Sequence, residues 1–162
     1  MVGMAAALAG SIFAATEAAF TPQGVVGRRA LLTVTPQPGN GTLDLTMDKT
    51  DLLVAIVNEW CNQNAGYTVV LASAGAKARG GGAKLVGTLP NASTADTLDY
   101  SIKYGDYSGN LSGGEAIVTN ATGKTVGGGV DKNLTITYSV ANANLTADTY
   151  SDTLTLTIAP KE

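Results

Sequence analysis

The sequence predicts an all-β protein built as a sandwich or barrel of short strands, and three observations lead there. Thr and Gly, with Val, Leu and Ala, are abundant, while Glu, Lys and Arg, the residues that fill helix surfaces, are few. Segments alternating apolar and polar residues recur roughly every ten residues between Gly, Asn and Pro punctuation. No window sustains the 3.6-residue apolar stripe of an amphipathic helix. The length of 162 residues suits one ordinary domain with a single core.

Met1 to Thr16 (MVGMAAALAGSIFAAT) is an uncharged run of small and apolar residues. A bilayer crossing needs about 20 apolar residues, so this run is too short to span, but it matches a secretory h-region followed by small residues. It reads as a signal peptide over 1–18, cleaved near Ala18, with a buried N-terminal helix as the alternative. Residues 19–30 then form an N-terminal extension and 31–162 the sandwich.

The strands expected in that body are Leu31 to Thr35, Thr42 to Met47, Leu52 to Trp60, Gly66 to Ser73, Lys84 to Thr88, Thr97 to Tyr104, Glu115 to Asn120, Leu134 to Val140 and Tyr150 to Ile158. Successive side chains point to opposite faces of a strand, so parity assigns the core. Leu98, Tyr100, Ile102 and Tyr104 share one face, as do Leu134, Ile136, Tyr138 and Val140. Leu52 to Cys61 is apolar enough to predict a strand buried on both faces, with Cys61 a buried thiol rather than an intermolecular one. In the last strand Tyr150, Leu154, Leu156 and Ile158 point inward and Thr153, Thr155 and Thr157 outward. Asp152 has the inward parity, which predicts a place near a sheet end where backbone N–H groups or water satisfy it.

Composition narrows the chemistry. The chain has no His, which removes the commonest general base and transition-metal ligand together. Without a His, Cys61 has no partner of the usual kind to activate it. The formal net charge is -3 and the ten Lys and Arg are scattered, so no basic stripe prepares the surface for nucleic acid. The glycine runs Arg79 to Gly82, Ser112 to Gly114 and Gly127 to Gly129 lack the Gly-Lys-Ser/Thr ending and following helix of a phosphate loop, and read as flexible loops. Asp44, Asp48, Asp51, Asp96, Asp99, Asp106, Asp131, Asp148 and Asp152 fall mostly in expected turns or strand ends, with no Asp-x-Asp-x-Asp-Gly calcium loop. The expectation is a non-enzyme with no cofactor and no metal. Asn40, Asn91, Asn110, Asn120, Asn133 and Asn144 each begin an Asn-x-Ser/Thr triplet, which suits glycosylation but which turn-to-strand junctions also generate unaided. Low charge with a mean hydropathy of +0.13 leans toward a protein outside the cytoplasm or inside an assembly.

The end of the chain, Ala147-Asp-Thr-Tyr-Ser-Asp-Thr-Leu-Thr-Leu-Thr-Ile158, resembles the closing strand of spore coat protein U-like domains and of the subunits of archaic chaperone-usher pili. Gly66-Tyr-Thr-Val-Val-Leu71, the glycine-rich loop after it, Leu85, and Asp96-Thr-Leu-Asp-Tyr-Ser-Ile-Lys-Tyr104 are similar to the middle of the same family. The resemblance covers about Asn58 to Ile158 and departs in two ways: Cys61 stands alone where the family commonly has paired cysteines, and Ile158 is followed by Ala-Pro-Lys-Glu162 rather than a terminal aromatic.

What the resemblance implies is an immunoglobulin-like sandwich lacking its last strand, completed by the N-terminal extension of another subunit. The implied function is a structural subunit of a bacterial surface fibre (pilus, fimbrium) or coat. Its partners would be homologous subunits, a periplasmic chaperone and an outer-membrane usher, and its location the cell surface after transit through the periplasm. No stable membrane span is expected. The groove wall would be Tyr150, Leu154, Leu156 and Ile158. Candidate donor residues are Ala30, Leu32 and Val34, which alternate on one side of a segment that is otherwise simply the first strand. In that case the donor falls to residues 19–27, where Pro22 and two glycines weaken ladder pairing. The alternative function is a self-contained extracellular sandwich binding carbohydrate or a surface ligand, with Tyr104 and Tyr107 as the one exposed-looking aromatic pair.

Overall fold

The computed structural model describes residues 21–38, 40–91, 95–141 and 143–162; the expected leader lies outside the described residues. The chain is an all-β sandwich of two antiparallel sheets. Its strands are β1 (Ala30–Pro36), β2 (Lys49–Cys61), β3 (Tyr67–Ser73), β4 (Lys84–Gly87), β5 (Thr97–Tyr104), β6 (Tyr107–Gly109), β7 (Glu115–Ala121), β8 (Val130–Tyr138), β9 (Tyr150–Ser151) and β10 (Leu154–Pro160), with one short helix, α1 (Ala74–Arg79). The larger sheet has the order β1-β2-β8-β5-β4-β9, with β6 folded back on β5, and the smaller has the order β10-β3-β7.

Parity places the core as the sequence predicts. Leu98, Tyr100, Ile102 and Tyr104 of β5 and Leu134, Ile136 and Tyr138 of β8 are buried, facing Val69 and Leu71 of β3. Val140 lies just beyond β8 and packs on this core half-buried. Each buried tyrosine gives its hydroxyl a partner, as an interior phenol requires. Tyr67 and Tyr104 donate to Glu59, Tyr100 donates to Asp152, and Tyr138 donates to the Asp44 carbonyl.

β2 is buried on one face and only half-buried on the other toward its end, where Val57, Glu59 and Cys61 point in and Ile56, Asn58 and Trp60 point out. A register shift against β8 between Leu53 and Ala55 puts both Val54 and Ala55 inside. Cys61 is fully buried, as expected, and is not in a disulfide.

The structure departs from expectation at three places. Thr42 to Met47 is a turn rather than a strand, because the Asp44 carboxylate accepts from the Thr46 amide at 3.0 Å and the Thr46 hydroxyl at 2.6 Å, curling the backbone locally. Leu43 and Leu45 nevertheless pack on the core, so the alternation was real and only the ladder is missing. The helix α1 is six residues long, too short to leave a periodic stripe; Ser73 caps it by accepting from the Ala76 amide at 3.0 Å, and Gly80 at φ 70° ends it.

The third departure is the last strand. Tyr150 to Ile158 is not one strand but two: β9 pairs with β4 in the larger sheet, and β10 pairs with β3 in the smaller. The chain changes sheets at Asp152 and Thr153. The Asp152 carboxylate accepts from the Ser73 hydroxyl at 2.5 Å, the Tyr100 hydroxyl at 2.6 Å and the Gly75 amide at 2.8 Å. A backbone N–H is thus among its partners, and the position is a crossing between sheets.

Candidate assembly groove

The two sheets do not close along one seam. β1 is an edge of the larger sheet and β10 an edge of the smaller; they come close to each other, yet no ladder joins them. β10 runs antiparallel to β3 from Leu154 opposite Ser73 to Pro160 opposite Tyr67, and among the described residues its other side carries no strand. β1 has the same character, paired with β2 from Ala30 opposite Cys61 to Pro36 opposite Ala55. Each presents a row of unpaired backbone groups, the feature that makes an edge a template for another strand.

Between these edges lies a cavity of about 900 Å³. One wall is Leu32 and Val34 of β1, the other Leu154 and Leu156 of β10, and Leu134 and Ile136 form part of its floor. Tyr150, Asp152 and Asp148 stand at the end where the chain changes sheets, and the turn carrying Leu43 and Leu45 overhangs the β1 side. Ala30 and Ile158, at the other end of the same strands, pack on the core and do not line the cavity. The groove is therefore open toward Pro36 and Leu154 and narrows toward Ala30 and Ile158.

Of the residues singled out in the sequence, Tyr150, Leu154 and Leu156 line this groove, and Ile158 lies on the same face beyond its narrow end. All four are half-buried despite inward parity, because no strand among the described residues covers them from the open side. Ala30, Leu32 and Val34 sit in this chain's own sheet, hydrogen-bonded along β2, so that in this conformation Leu32 and Val34 form a groove wall. The contribution of the 40–45 turn is not legible in the sequence, where the alternation of Leu43 and Leu45 reads as a strand.

Ahead of β1, residues 21–29 are exposed and carry no strand. Val25 is 99% and Val26 85% exposed. Among the described residues its hydrogen bonds to the domain lie at its foot, where Asn62 donates to the Gly27 carbonyl at 2.9 Å and the Arg29 amide donates to the Asn62 carboxamide at 2.8 Å.

The open end of the groove is acidic. Asp148 accepts from the Leu89 amide at 2.7 Å, the Thr149 amide at 2.6 Å and both the hydroxyl and the amide of Thr88, and Asp96 accepts from the Thr146 amide at 2.8 Å. These hydrogen bonds hold both carboxyls below the usual carboxylate range, the Thr88 hydroxyl contributing most for Asp148 and Thr146 for Asp96. The phenol of Tyr150, which donates to the Thr146 carbonyl, is pushed up by desolvation and then by these two acids.

The opposite end is held by a buried polar cluster. Glu59 is fully buried between the sheets and receives the hydroxyls of Tyr67 at 3.0 Å, Tyr104 at 2.7 Å and Thr119 at 2.8 Å. Lys132 stands 3.4 Å from Glu59, donates to Thr119 at 2.7 Å and lies 5.6 Å from the centre of the Tyr104 ring. The expected surface pair Tyr104 and Tyr107 is thereby corrected: Tyr104 is fully buried as a ligand of Glu59, and only Tyr107 is partly exposed.

Among the described residues no cluster of three or more His, Cys, Asp or Glu is placed to hold a metal ion, and no helix is long and apolar enough to cross a membrane. No protein-family model matches the chain, and no curated protein matches it.

Proposed function

We propose that this protein is a structural subunit of a surface fibre or coat, completed when a strand from another copy fills the groove between β1 and β10. The observation that carries the reading is the pair of free edges flanking an apolar groove, together with an exposed extension in the same chain that lies outside it. The extension leaves the domain beside Asn62, which follows the Cys61 end of β2, whereas the groove opens toward Pro36, opposite Ala55. Seven residues of strand separate Ala55 from Asn62, roughly 23 Å at the usual rise per residue. To fill the groove of its own molecule the extension would have to reverse direction beside Asn62, so a second molecule is taken as the donor.

An added strand satisfies the backbone groups of β10 and β1, and each aliphatic side chain it buries contributes roughly 1.5–3 kcal/mol before the cost of association. A head-to-tail contact of this kind does not close on itself and propagates as a fibre. Chaperone and usher belong to the same reading, as do export and a cell-surface location, and no catalysis is assigned. The alternative as a carbohydrate-binding module loses its aromatic platform with the burial of Tyr104.

The test is association of the full chain lacking its leader. Sedimentation should show polymers or an unstable subunit, and appending a second copy of residues 19–29 after Glu162 should yield a soluble monomer. A compact monomer persisting in dilute solution without that appendage would overturn the proposal.

A further inference from the structure

The extension is a weak ladder partner on its own terms. Pro22 lacks an amide donor, and Gly24 and Gly27 bring no side chain to bury, so few positions of the segment contribute apolar contact. Something besides the ladder must fix its register. Two arginines follow it directly, Arg28 and Arg29, both exposed, and no ion pair among the described residues uses either.

Polarity follows from the geometry already described and rests on the reading of the groove as a strand acceptor. The groove narrows where Ala30 and Ile158 lie and opens beside Asp148 and Tyr150. A strand entering from the open end leaves its own domain outside that end. Because the extension precedes its domain, its first residues go deepest and Arg28 and Arg29 stop at the mouth. The inserted strand then runs antiparallel to β10. Gly27 and Arg29 are tied to Asn62 of their own domain, so no slack separates the arginines from the body that abuts the mouth.

Asp148 lines that mouth and Asp96, bonded to the Thr146 amide, lies close enough behind it for the two charges to act on each other; both accept hydrogen bonds from their own chain, and no ion pair among the described residues neutralises either. Asp44, on the overhanging turn, is nearer to a cation, since Lys49 acts on it. At the foot of the extension Lys161 is engaged with the Ala121 carbonyl, and Glu162 is the carboxylate nearest to it in sequence. We infer that Arg28 and Arg29 of one copy dock on Asp96 and Asp148 at the groove mouth of the next, setting the register and the head-to-tail direction of assembly.

The experiment compares the full leaderless chain with its R28E/R29E variant by sedimentation velocity at low and high ionic strength, and tests soluble peptides of residues 21–29 with either sequence as competitors. Neither arginine side chain makes an ion pair among the described residues, so circular dichroism should be unchanged. Two exposed ion pairs account for about a five- to tenfold change in association, and reversal adds repulsion, so R28E/R29E should weaken assembly at least about tenfold at low salt. The gap should shrink as salt screens the contact, and the native peptide should compete better than the reversed one. D96N and D148N acceptors should lose most of that preference. If R28E/R29E assembles like the parent at low salt, the charge contact is overturned while the groove reading stands. If the parent neither assembles nor responds to the native peptide, both fall.

Discussion

Asp152 accepts a 2.5 Å hydrogen bond from the Ser73 hydroxyl at the point where the chain leaves the larger sheet for the smaller one. Ser73 is also the cap of α1 and the residue opposite Leu154, so one contact joins the end of β3, the start of the helix and the start of β10. The groove wall of Leu154 and Leu156 is aligned by this junction.

Replacing Asp152 with Ala removes the acceptor for Ser73, Tyr100 and the Gly75 amide together. A charged acceptor with partly buried donors is worth more than an ordinary hydrogen bond, and the loss should be about 3 kcal/mol. Urea unfolding of D152A against D152N measures it, with D152N retaining part of the stability. Equal midpoints for D152A and the parent would contradict this role.

The Glu59 cluster makes a second prediction. Glu59→Ala leaves three hydroxyls without their acceptor and Lys132 without its counter-charge, which should cost about 3–5 kcal/mol. Glu59→Met combined with Lys132→Met should cost less than Glu59→Ala alone, because the residual charge disappears. Denaturant midpoints of the two variants decide the order.

Alkali should unfold the protein through its interior phenols. Desolvation, then Glu59, raises Tyr67 and Tyr104 well above the ordinary phenol value, and desolvation, then Asp152, does the same for Tyr100. In the unfolded chain these groups deprotonate near pH 10, so above that value the folded state holds more protons and stability falls as pH rises. The share of tyrosinate absorbance that belongs to these three phenols should therefore appear together with loss of circular dichroism rather than before it, and Y104F should flatten the dependence.

Acid should loosen the groove mouth. Asp148 and Asp96 sit below the usual carboxylate range, so their contribution is complete above it and is lost as pH falls through their lowered values. Protection against hydrogen exchange, relative to the intrinsic rate at each pH, should fall there for the amides of Thr88, Leu89, Thr146 and Thr149, which they accept, before it falls for the core amides. D148N should show faster exchange at Thr88 and Leu89 already at neutral pH.

Gly66 is a backbone requirement. At φ 91° it leaves 2.0 Å between an added Cβ and the Ala121 carbonyl oxygen, and its own carbonyl accepts from the Lys161 amide. Gly66→Ala should cost about 2–4 kcal/mol and separate the end of β7 from the start of β3, read as a lowered thermal midpoint.

The sequence by itself determined the all-β class, the inward faces of β5 and β8, the burial of Cys61 and the inward parity of Leu154, Leu156 and Ile158. The faces are consequences of period-two alternation, which a strand imposes on its own side chains whatever it pairs with, while composition carried the class and the apolar run Leu52 to Cys61 carried the buried thiol. Tertiary structure decided what alternation cannot encode: which edges pair, that the last segment divides between two sheets at Asp152, that Leu43 and Leu45 reach the core from a turn, and that Tyr104 is a buried ligand of Glu59. Pairing partners are set by contacts between residues far apart in the chain, where backbone hydrogen bonds and packing choose among many registers that local pattern leaves equal.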